Sequence, residues 1–231
     1  MTQVRQQEKP VRHFASAEVT GHVLTVRHDP GRDAVRTVIG VGNNRVQVTF
    51  WRSTAAASIP QGATIRAWGR LSQWGQPPRT TLDISPHTQH GFCLVDPATA
   101  TPSAGWTILG TLEDIQGDQV TITVVTPARV VNGVPYEERR TPYPVQVPEH
   151  LAPVLRELVG EDVLLRGTFG FEQHTDGYGR AVTSVTLVAT EARHRGQPIL
   201  SVQDEQKPAR LRSGNGPARN TGNARNATIP F

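Results

Sequence analysis

The sequence predicts an all-β protein, and three observations support this prediction. The 231 residues include 21 glycines and 18 prolines, a turn-rich composition that argues against a helical bundle. Short segments alternate apolar and polar residues, as with Val46, Val48 and Phe50, which is the period of a half-buried strand. Turn sequences such as 29–31 (Asp-Pro-Gly) and 42–44 (Gly-Asn-Asn) separate these segments.

The first half of the chain contains five predicted strands and one short helix. The strands are expected at 19–26, 34–42, 44–51, 63–74 and 79–85, and segment 53–62 has room for only a turn or two of helix. A helix between the third and fourth of five strands is the element order of an OB-fold barrel.

The second half repeats this order. Strands are expected at 106–115, 119–129, 139–147, 161–173 and 180–190, and leucines at helical spacing predict a helix within 148–160. Gly62 and Gly69 recur as Gly160 and Gly167 at the same place in the pattern. The sequence therefore predicts two tandem five-stranded OB-fold barrels produced by duplication.

Composition divides the chain into five parts. Residues 1–14 form an N-terminal extension, 15–95 the first barrel, 96–104 a linker rich in Pro, Ala and Thr, and 105–203 the second barrel. Residues 204–231 are polar and basic, which predicts a disordered tail. That tail closes on Ile229, Pro230 and Phe231, an apolar tip that favours a docking peptide.

Charge is distributed unevenly along the chain. Residues 15–95 hold eight arginines and four acids, residues 105–203 hold eight arginines and twelve acids, and the tail holds five basic residues and two acids. A polyanion should therefore prefer the first barrel. Only Lys9 and Lys207 are lysines. Arginine suits phosphate binding, although a GC-rich genome produces the same bias.

Several classes of protein are excluded on sequence. No apolar run approaches the length of a membrane-spanning helix, and the N-terminus lacks the apolar region of a secretory signal, so we expect a cytoplasmic protein. Cys93 is the single cysteine, and His87 and His90 have no further ligands beside them. With no phosphate-binding loop or activated nucleophile, we expect no enzyme activity, no cofactor and no metal.

The tryptophans of the basic half are candidate binding residues. If Phe50 points inward, alternation turns Trp51 outward, next to Arg52. The same parity turns Trp68 outward between two arginines. The predicted nucleic-acid-binding residues of this half are Trp51, Arg52, Arg66, Trp68, Arg70, Trp74 and Arg79. Aromatic rings flanked by guanidinium groups hold single-stranded nucleic acid by stacking and phosphate contacts. The alternative is that these tryptophans fill a core or a subunit contact.

The second half offers a weaker continuation of this path, because its acids oppose phosphate. Its candidate residues lie in two predicted hairpins and the strand before one of them: Tyr136, Arg139, Phe171, Tyr178 and Arg180. Phe169 shares the parity of Phe171 and is at least as well explained as structural filling.

Specific motifs resemble those of bacterial single-stranded-DNA-binding proteins. That family has the pattern Gly-x-x-Val-x-Val-x-Gly-x-Leu after a Trp-containing third strand, and 62–71 is similar to it after Trp51. Trp74 resembles the hairpin aromatic, 80–82 the Thr-rich last strand, and 229–231 the Pro-Phe ending of the family's tail. The family ending is preceded by aspartates, whereas here Asn, Ala and Thr precede it.

The resemblance implies a divergent family member that binds single-stranded DNA in replication, recombination or repair. Members with two OB folds per chain assemble as dimers, which implies a homodimer, and the tip implies docking of replication or repair proteins. We expect binding with little sequence preference and no chemistry. Two alternatives remain: an OB-fold protein-interaction adaptor, and an RNA-binding protein, since the sequence contains no 2′-hydroxyl selector.

Overall fold

Strands β1 to β5 close into a barrel in the computed structural model, which describes residues 12–74, 79–84, 91–175, 179 and 181–199. The strands are β1 (Phe14–Asp29), β2 (Ala34–Val41), β3 (Asn44–Trp51), β4 (Thr64–Trp74) and β5 (Arg79–Ile84). Each pairs with its neighbour in the order β1-β2-β3-β5-β4, and β4 returns to β1. Strands β3 and β5 are parallel. A short strand, β6 (Phe92–Leu94), extends β4 at the barrel's edge.

A second barrel has the same strand order. It comprises β7 (Ser103–Gln116), β8 (Gln119–Thr126), β11 (Arg139–Gln146), β12 (Asp162–Thr175) and β13 (Ala181–His194). A separate hairpin, β9 (Arg129–Val131) and β10 (Val134–Tyr136), is inserted between β8 and β11, and β14 (Gln197–Pro198) pairs with β13. The order is β7-β8-β11-β13-β12, β12 returns to β7, and β11 and β13 are parallel.

The all-β prediction is confirmed, and inward-pointing apolar residues explain both barrels. On β3, Val46, Val48 and Phe50 are buried in the core, whereas Arg45 and Gln47 on the other side of the strand are not. Burial of each such side chain contributes about 1.5–3 kcal/mol, which fixes the face of the strand that turns inward.

The two helices are short and lie where the element order predicts them. Helix α1 (Thr54–Ala57) follows β3 and is capped by Ser53, whose hydroxyl accepts from the amide of Ala56 at 3.2 Å. Helix α2 (Ala152–Arg156) is shorter than the helix expected within 148–160. The amides of Glu157 and Leu158 bond carbonyls three residues back, so the chain tightens into turns after α2.

Strands β1 and β7 join the barrels. They pair antiparallel from Phe14 opposite Leu109 to Thr20 opposite Ser103, which makes one continuous sheet. This pairing extends β1 beyond the predicted 19–26, and it starts β7 inside the segment expected as the linker 96–104. The N-terminal end of β1 is further fixed by His13, whose Nε2 lies 3.0 Å from the Asp162 carboxylate of β12.

Strand register gives a residue-by-residue correspondence between the barrels. Gly21 pairs with Ile65 in the first barrel, and Gly110 pairs with Val163 in the second. A Cβ on Gly21 would lie 2.0 Å from the carbonyl oxygen of Gly40, and one on Gly110 would lie 2.5 Å from that of Thr123. The two glycines therefore occupy the same position, beside a bulge in each first strand.

This correspondence extends to the third strands. Arg45 pairs with Gly40, and Pro142 pairs with Thr123. Arg45 therefore corresponds to Pro142, and the same spacing along the chain matches Trp51, the last residue of β3, with Pro148 just beyond the end of β11. On the fourth strands, Trp68 corresponds to Arg166.

Candidate nucleic-acid interface

The outward surface of β2 and β3, here called the β2–β3 face, carries the candidate side chains of the first barrel. Arg45, Gln47 and Trp51 lie on the side of β3 opposite its buried residues. Arg27 on β1 lies directly opposite Arg36 on β2, and cross-strand partners point to the same side of a sheet. The face therefore carries Arg36, Arg45 and Trp51, and Arg27 of the neighbouring strand β1 lies at its edge.

Trp51 lies beside a carboxylate. It is half-buried, and its indole N–H and the hydroxyl of Ser72 both favour the charged form of the Asp83 carboxylate on β5. Burial raises the pKa of Asp83, while the hydrogen bonds from Ser72 and Trp51 and the charge of Arg70 act in the opposite direction. One face of the sheet thus presents an aromatic ring with a defined orientation.

Each acid of the first barrel has an arginine partner. Glu18 binds the Arg66 guanidinium through two hydrogen bonds of 2.8 and 2.9 Å, and this contact raises the pKa of Arg66. The other pairs are Asp29 with Arg36 at 2.9 Å, Asp33 with Arg52 at 4.0 Å, and Asp83 with Arg70, which faces it across β4 and β5. Four of the eight arginines of the first barrel therefore have their charge compensated by a neighbouring carboxylate.

The positive charge of the first barrel is therefore carried by the other four arginines. Among the described residues, no carboxylate lies within 4.0 Å of Arg27, Arg32 or Arg45, and the side chain of Arg79 lies outside the described part. Sequence reasoning selected Arg52, Arg66 and Arg70, all of which are paired, and missed these three. Cross-strand register is the signal that identifies Arg27 and Arg45, and it depends on knowing the pairing, whereas Arg32 lies in the turn between β1 and β2.

Trp68 lies outward between Arg66 and Arg70, as its parity predicts. Ile65, Ala67 and Leu71 of the same strand are buried. Trp68 is half-buried in a groove of about 810 Å³ between the barrels, which we call the junction groove. Its lining includes Trp68, Trp106 and two cross-strand pairs of opposite charge, which are Asp83 with Arg70 and Glu191 with Arg166 at 3.8 Å. Glu18 also lines the groove, and its partner Arg66 lies just outside the lining. The groove is therefore close to electrically neutral.

Comparison with known structures agrees with this topology. The wild-type single-stranded DNA binding protein from Thermus aquaticus is similar to the chain, with 15% identity and a TM-score of 0.53 over 85% of this chain and 100% of that chain. A deletion mutant of the same protein has 15% identity and a TM-score of 0.51, over 79% and 95%. The chain has an OB fold of this type. No protein-family model and no curated protein sequence matches it.

The second OB barrel differs at its candidate residues. Tyr136 is exposed on β10 with the Arg129 guanidinium 5.9 Å from its ring centre, and Arg139 is exposed at the start of β11. Phe169 is buried, and Phe171 is half-buried and packs against the same core. Phe171 therefore contributes to core packing, and its role in DNA binding stays a prediction.

The remaining predicted residues lie where the structure describes the backbone only or not at all. Strand β4 ends at Trp74 and β5 begins at Arg79, and these two residues pair, but their side chains are outside the described part. Tyr178, Arg180 and the tip formed by Ile229, Pro230 and Phe231 lie outside the described residues.

Two other features are absent from the part of the chain that the structure describes. No group of three or more His, Cys, Asp or Glu side chains within these residues is arranged to hold a metal ion. Within the same residues no helix has the length and apolar character needed to cross a membrane. The candidate site among the described residues is the basic β2–β3 face of the first OB barrel, which includes Trp51.

Proposed function

We propose that the chain binds single-stranded DNA on the β2–β3 face of its first barrel and performs no chemistry. The observation that carries the proposal is that uncompensated arginines and an oriented tryptophan share this face. In OB folds the surface of strands 2 and 3 and the adjoining loops bind oligonucleotides. The Thermus aquaticus protein of similar fold is a single-stranded DNA binding protein.

Binding on this face combines stacking with charge neutralisation. A base stacks on Trp51, which contributes about 1–3 kcal/mol. Arg45 on the face, Arg27 on the neighbouring strand β1 and Arg32 in the turn between β1 and β2 neutralise phosphates, so affinity falls steeply with salt and depends little on sequence. The proposed path continues toward the end of β4 and the start of β5, where Trp74 pairs with Arg79.

The junction groove has a different role in this proposal. Phosphate would have to displace Glu18 from Arg66 and Asp83 from Arg70 before either arginine could bind it. A neutral surface of alternating charges around a half-buried Trp68 suits contact with protein better than contact with a polyanion. We propose it as the subunit contact of a homodimer, with Trp68, Arg66 and Arg70 secondary to the β2–β3 face in DNA binding.

The cellular setting extends the same proposal. The chain would act in the cytoplasm, in replication, recombination or repair, as a divergent member of the bacterial single-stranded-DNA-binding proteins. The tip at 229–231 would dock a replication or repair protein. The charge of the basic residues before the tip would determine which binding pockets on that partner are electrostatically complementary to it.

A titration tests the proposal directly. Intrinsic tryptophan fluorescence is followed while a deoxythymidine oligomer is added at low and high salt, with duplex DNA and RNA as competitors. We expect quenching that weakens with salt and resists duplex competition. No quenching at low salt would overturn the proposal and favour a protein-interaction adaptor. Equal competition by RNA would instead indicate a binder of both single-stranded polymers.

A matched pair of variants tests the face. Arg45→Ala removes an uncompensated arginine from the β2–β3 face, and Arg156→Ala removes an exposed arginine from the second barrel. The slope of log affinity against log salt should fall by about one for Arg45→Ala and stay unchanged for Arg156→Ala. Equal slopes for the two variants would place the phosphate contacts elsewhere.

A further inference from the structure

The outer surface of the first barrel carries a second aromatic ring at the end of the β2–β3 face that lies away from Trp51. His22 of β1 is exposed and pairs with Gly40 of β2, which in turn pairs with Arg45 of β3. Cross-strand partners point to the same side of a sheet, so the imidazole ring and the Arg45 guanidinium stand on either side of Gly40. Arg45 and Trp51 are six residues apart on β3, which separates the two ends of the face by roughly 20 Å.

A hydrogen bond orients this ring. Nδ1 of His22 lies 2.8 Å from the hydroxyl of Thr64, a buried residue that pairs with His22 across β1 and β4. An exposed side chain that is already held in one orientation loses less conformational freedom when a ligand binds to it. Among the described residues no carboxylate oxygen lies within 4.0 Å of the ring nitrogens of His22, so no acid next to the ring opposes a phosphate.

A β-bulge places an apolar side chain beside the ring. The pairing of β1 with β2 shifts register between Val23 and Thr25, so Leu24 is the extra residue of the bulge. Val23 is buried in the core, whereas Leu24 is 37% exposed. A Cβ on Gly40 would lie 3.3 Å from the nearest atom of the Leu24 side chain, so the leucine lies over the space that the glycine leaves open. These neighbouring residues are here called the His22 subsite: His22, Leu24, Gly40 and Arg45.

The second barrel has different chemistry at the corresponding positions. In the place of His22 and its buried partner it has a threonine whose hydroxyl donates to Asp162 at 3.0 Å. Its bulge residue is Glu113. Both carboxylates have a basic neighbour, since Asp162 lies 3.0 Å from His13 and Glu113 lies 3.9 Å from Arg140. This corner of the second barrel is therefore occupied by its own ion pairs, whereas the ring, the leucine and the guanidinium of the first barrel face solvent.

We propose that the His22 subsite binds a second base of the same single strand, stacked on the imidazole ring and against Leu24, while Arg45 binds the adjoining phosphate. The inference rests on the proposed function and adds to it a second fixed point, roughly 20 Å along the face from Trp51. Histidine is one of the aromatic side chains on which unpaired bases stack, and such stacking tolerates any base. The bound strand therefore runs along the β2–β3 face between the two rings.

Substitutions of His22 in the full chain test the subsite through the anisotropy of a labelled deoxythymidine oligomer of about 12 nucleotides. His22→Ala should weaken binding about fivefold or more, because the stacking surface is lost. His22→Tyr keeps an aromatic ring and should restore most of the affinity. The slope of log affinity against log salt should stay unchanged in His22→Ala, because stacking releases no counterions. His150→Ala, which removes an exposed histidine of the second barrel, is the matched control and should bind as the wild type does.

Substitutions of Leu24 test the same subsite from its other side. Leu24→Glu copies the bulge residue of the second barrel and should weaken binding about tenfold, because a carboxylate near Arg45 competes with phosphate for the guanidinium. Leu24→Met keeps an apolar side chain of similar volume and should bind as the wild type does. Circular dichroism of each variant confirms that the fold is retained.

The outcomes separate the two proposals. If the wild type does not bind the oligomer, the proposed function fails. If the wild type binds and Trp51→Ala weakens binding while His22→Ala and Leu24→Glu do not, the subsite is overturned and DNA binding on the face stands. Failure of His22→Tyr to restore affinity would overturn stacking on the ring. A salt slope lower by about one in His22→Ala would also overturn it, because the histidine would then contact a phosphate.

Discussion

The β2–β3 face of the first barrel and the matching face of the second barrel have the same backbone and opposite chemistry. Where the first barrel has Arg45 and Trp51, the second has Pro142 and Pro148. Asp83, which lies beside Trp51, corresponds to Val188, because each pairs with the matching residue of its parallel strand. Proline and valine neither neutralise phosphate nor stack as a tryptophan does.

The difference shows which residues of an OB barrel are constrained by the fold. Inward residues and the glycines at close backbone approaches fill the same roles in both barrels, since a core tolerates little change in volume. Outward residues meet solvent and are constrained only by what they bind. Binding therefore has to be argued from the outward faces one barrel at a time.

The largest expected effect tests the shared backbone. Gly21→Ala and Gly110→Ala each place a Cβ against a carbonyl oxygen, 2.0 and 2.5 Å away. Each should lower the free energy of unfolding by roughly 3 kcal/mol, because backbone of a paired strand cannot move aside cheaply. Urea unfolding followed by circular dichroism measures this, with Gly31→Ala as the control, where the nearest atom is 3.8 Å away. A neutral result at either glycine would break the correspondence of the barrels.

The next effect tests the difference between the faces. Trp51→Ala should weaken binding of a deoxythymidine oligomer by about 1–3 kcal/mol through lost stacking, and Trp51→Phe should lose less. Pro148→Ala, at the matching position of the second barrel, should leave affinity unchanged. Anisotropy of a labelled oligomer measures all three. Equal losses for Trp51→Ala and Pro148→Ala would mean that the two faces bind alike.

A smaller effect tests how the barrels contact each other. Tyr143 of β11 is buried and donates its hydroxyl hydrogen to the Leu71 carbonyl of β4 at 2.8 Å, whereas the matching Val46 has no such group. Tyr143→Phe should cost about 1–2 kcal/mol of stability, because the buried carbonyl loses its partner. Thermal unfolding detects the change, and Val46→Ile serves as a control for altered volume alone. An unchanged melting temperature in Tyr143→Phe would exclude a stabilising role for this contact.

The smallest effect concerns pH. Burial raises the pKa of Asp83, so the folded chain binds that proton more tightly than the unfolded chain does. The contribution of this group to stability is therefore present below the ordinary aspartate pKa of about 4 and is lost as pH rises through the raised value. Asp83→Asn should be more stable than the wild type near neutral pH and equal to it near pH ~3. Urea unfolding at both pH values measures this, and a gain only at low pH would contradict the sign.

Local pattern was sufficient for much of the fold. Alternation along 44–51 predicts β3 because burial of every second residue is a local property of the strand. The second helix is shorter than its leucine spacing predicts, because Leu155 is buried within the helix and the turns after Arg156 are enough to bury Leu158 partly. The extension of β1 and the early start of β7 depend on their pairing with each other, which lies across the chain.

The sequence by itself determined the all-β class, the order of elements in each half, the uneven charge and the outward parity of Trp51 and Trp68. Only the tertiary structure decided which arginines remain uncompensated. Glu18 and Arg66 are far apart in the chain but adjacent across β1 and β4, so one cancels the other. Pairing of charges depends on distance in space, and sequence pattern records only distance along the chain.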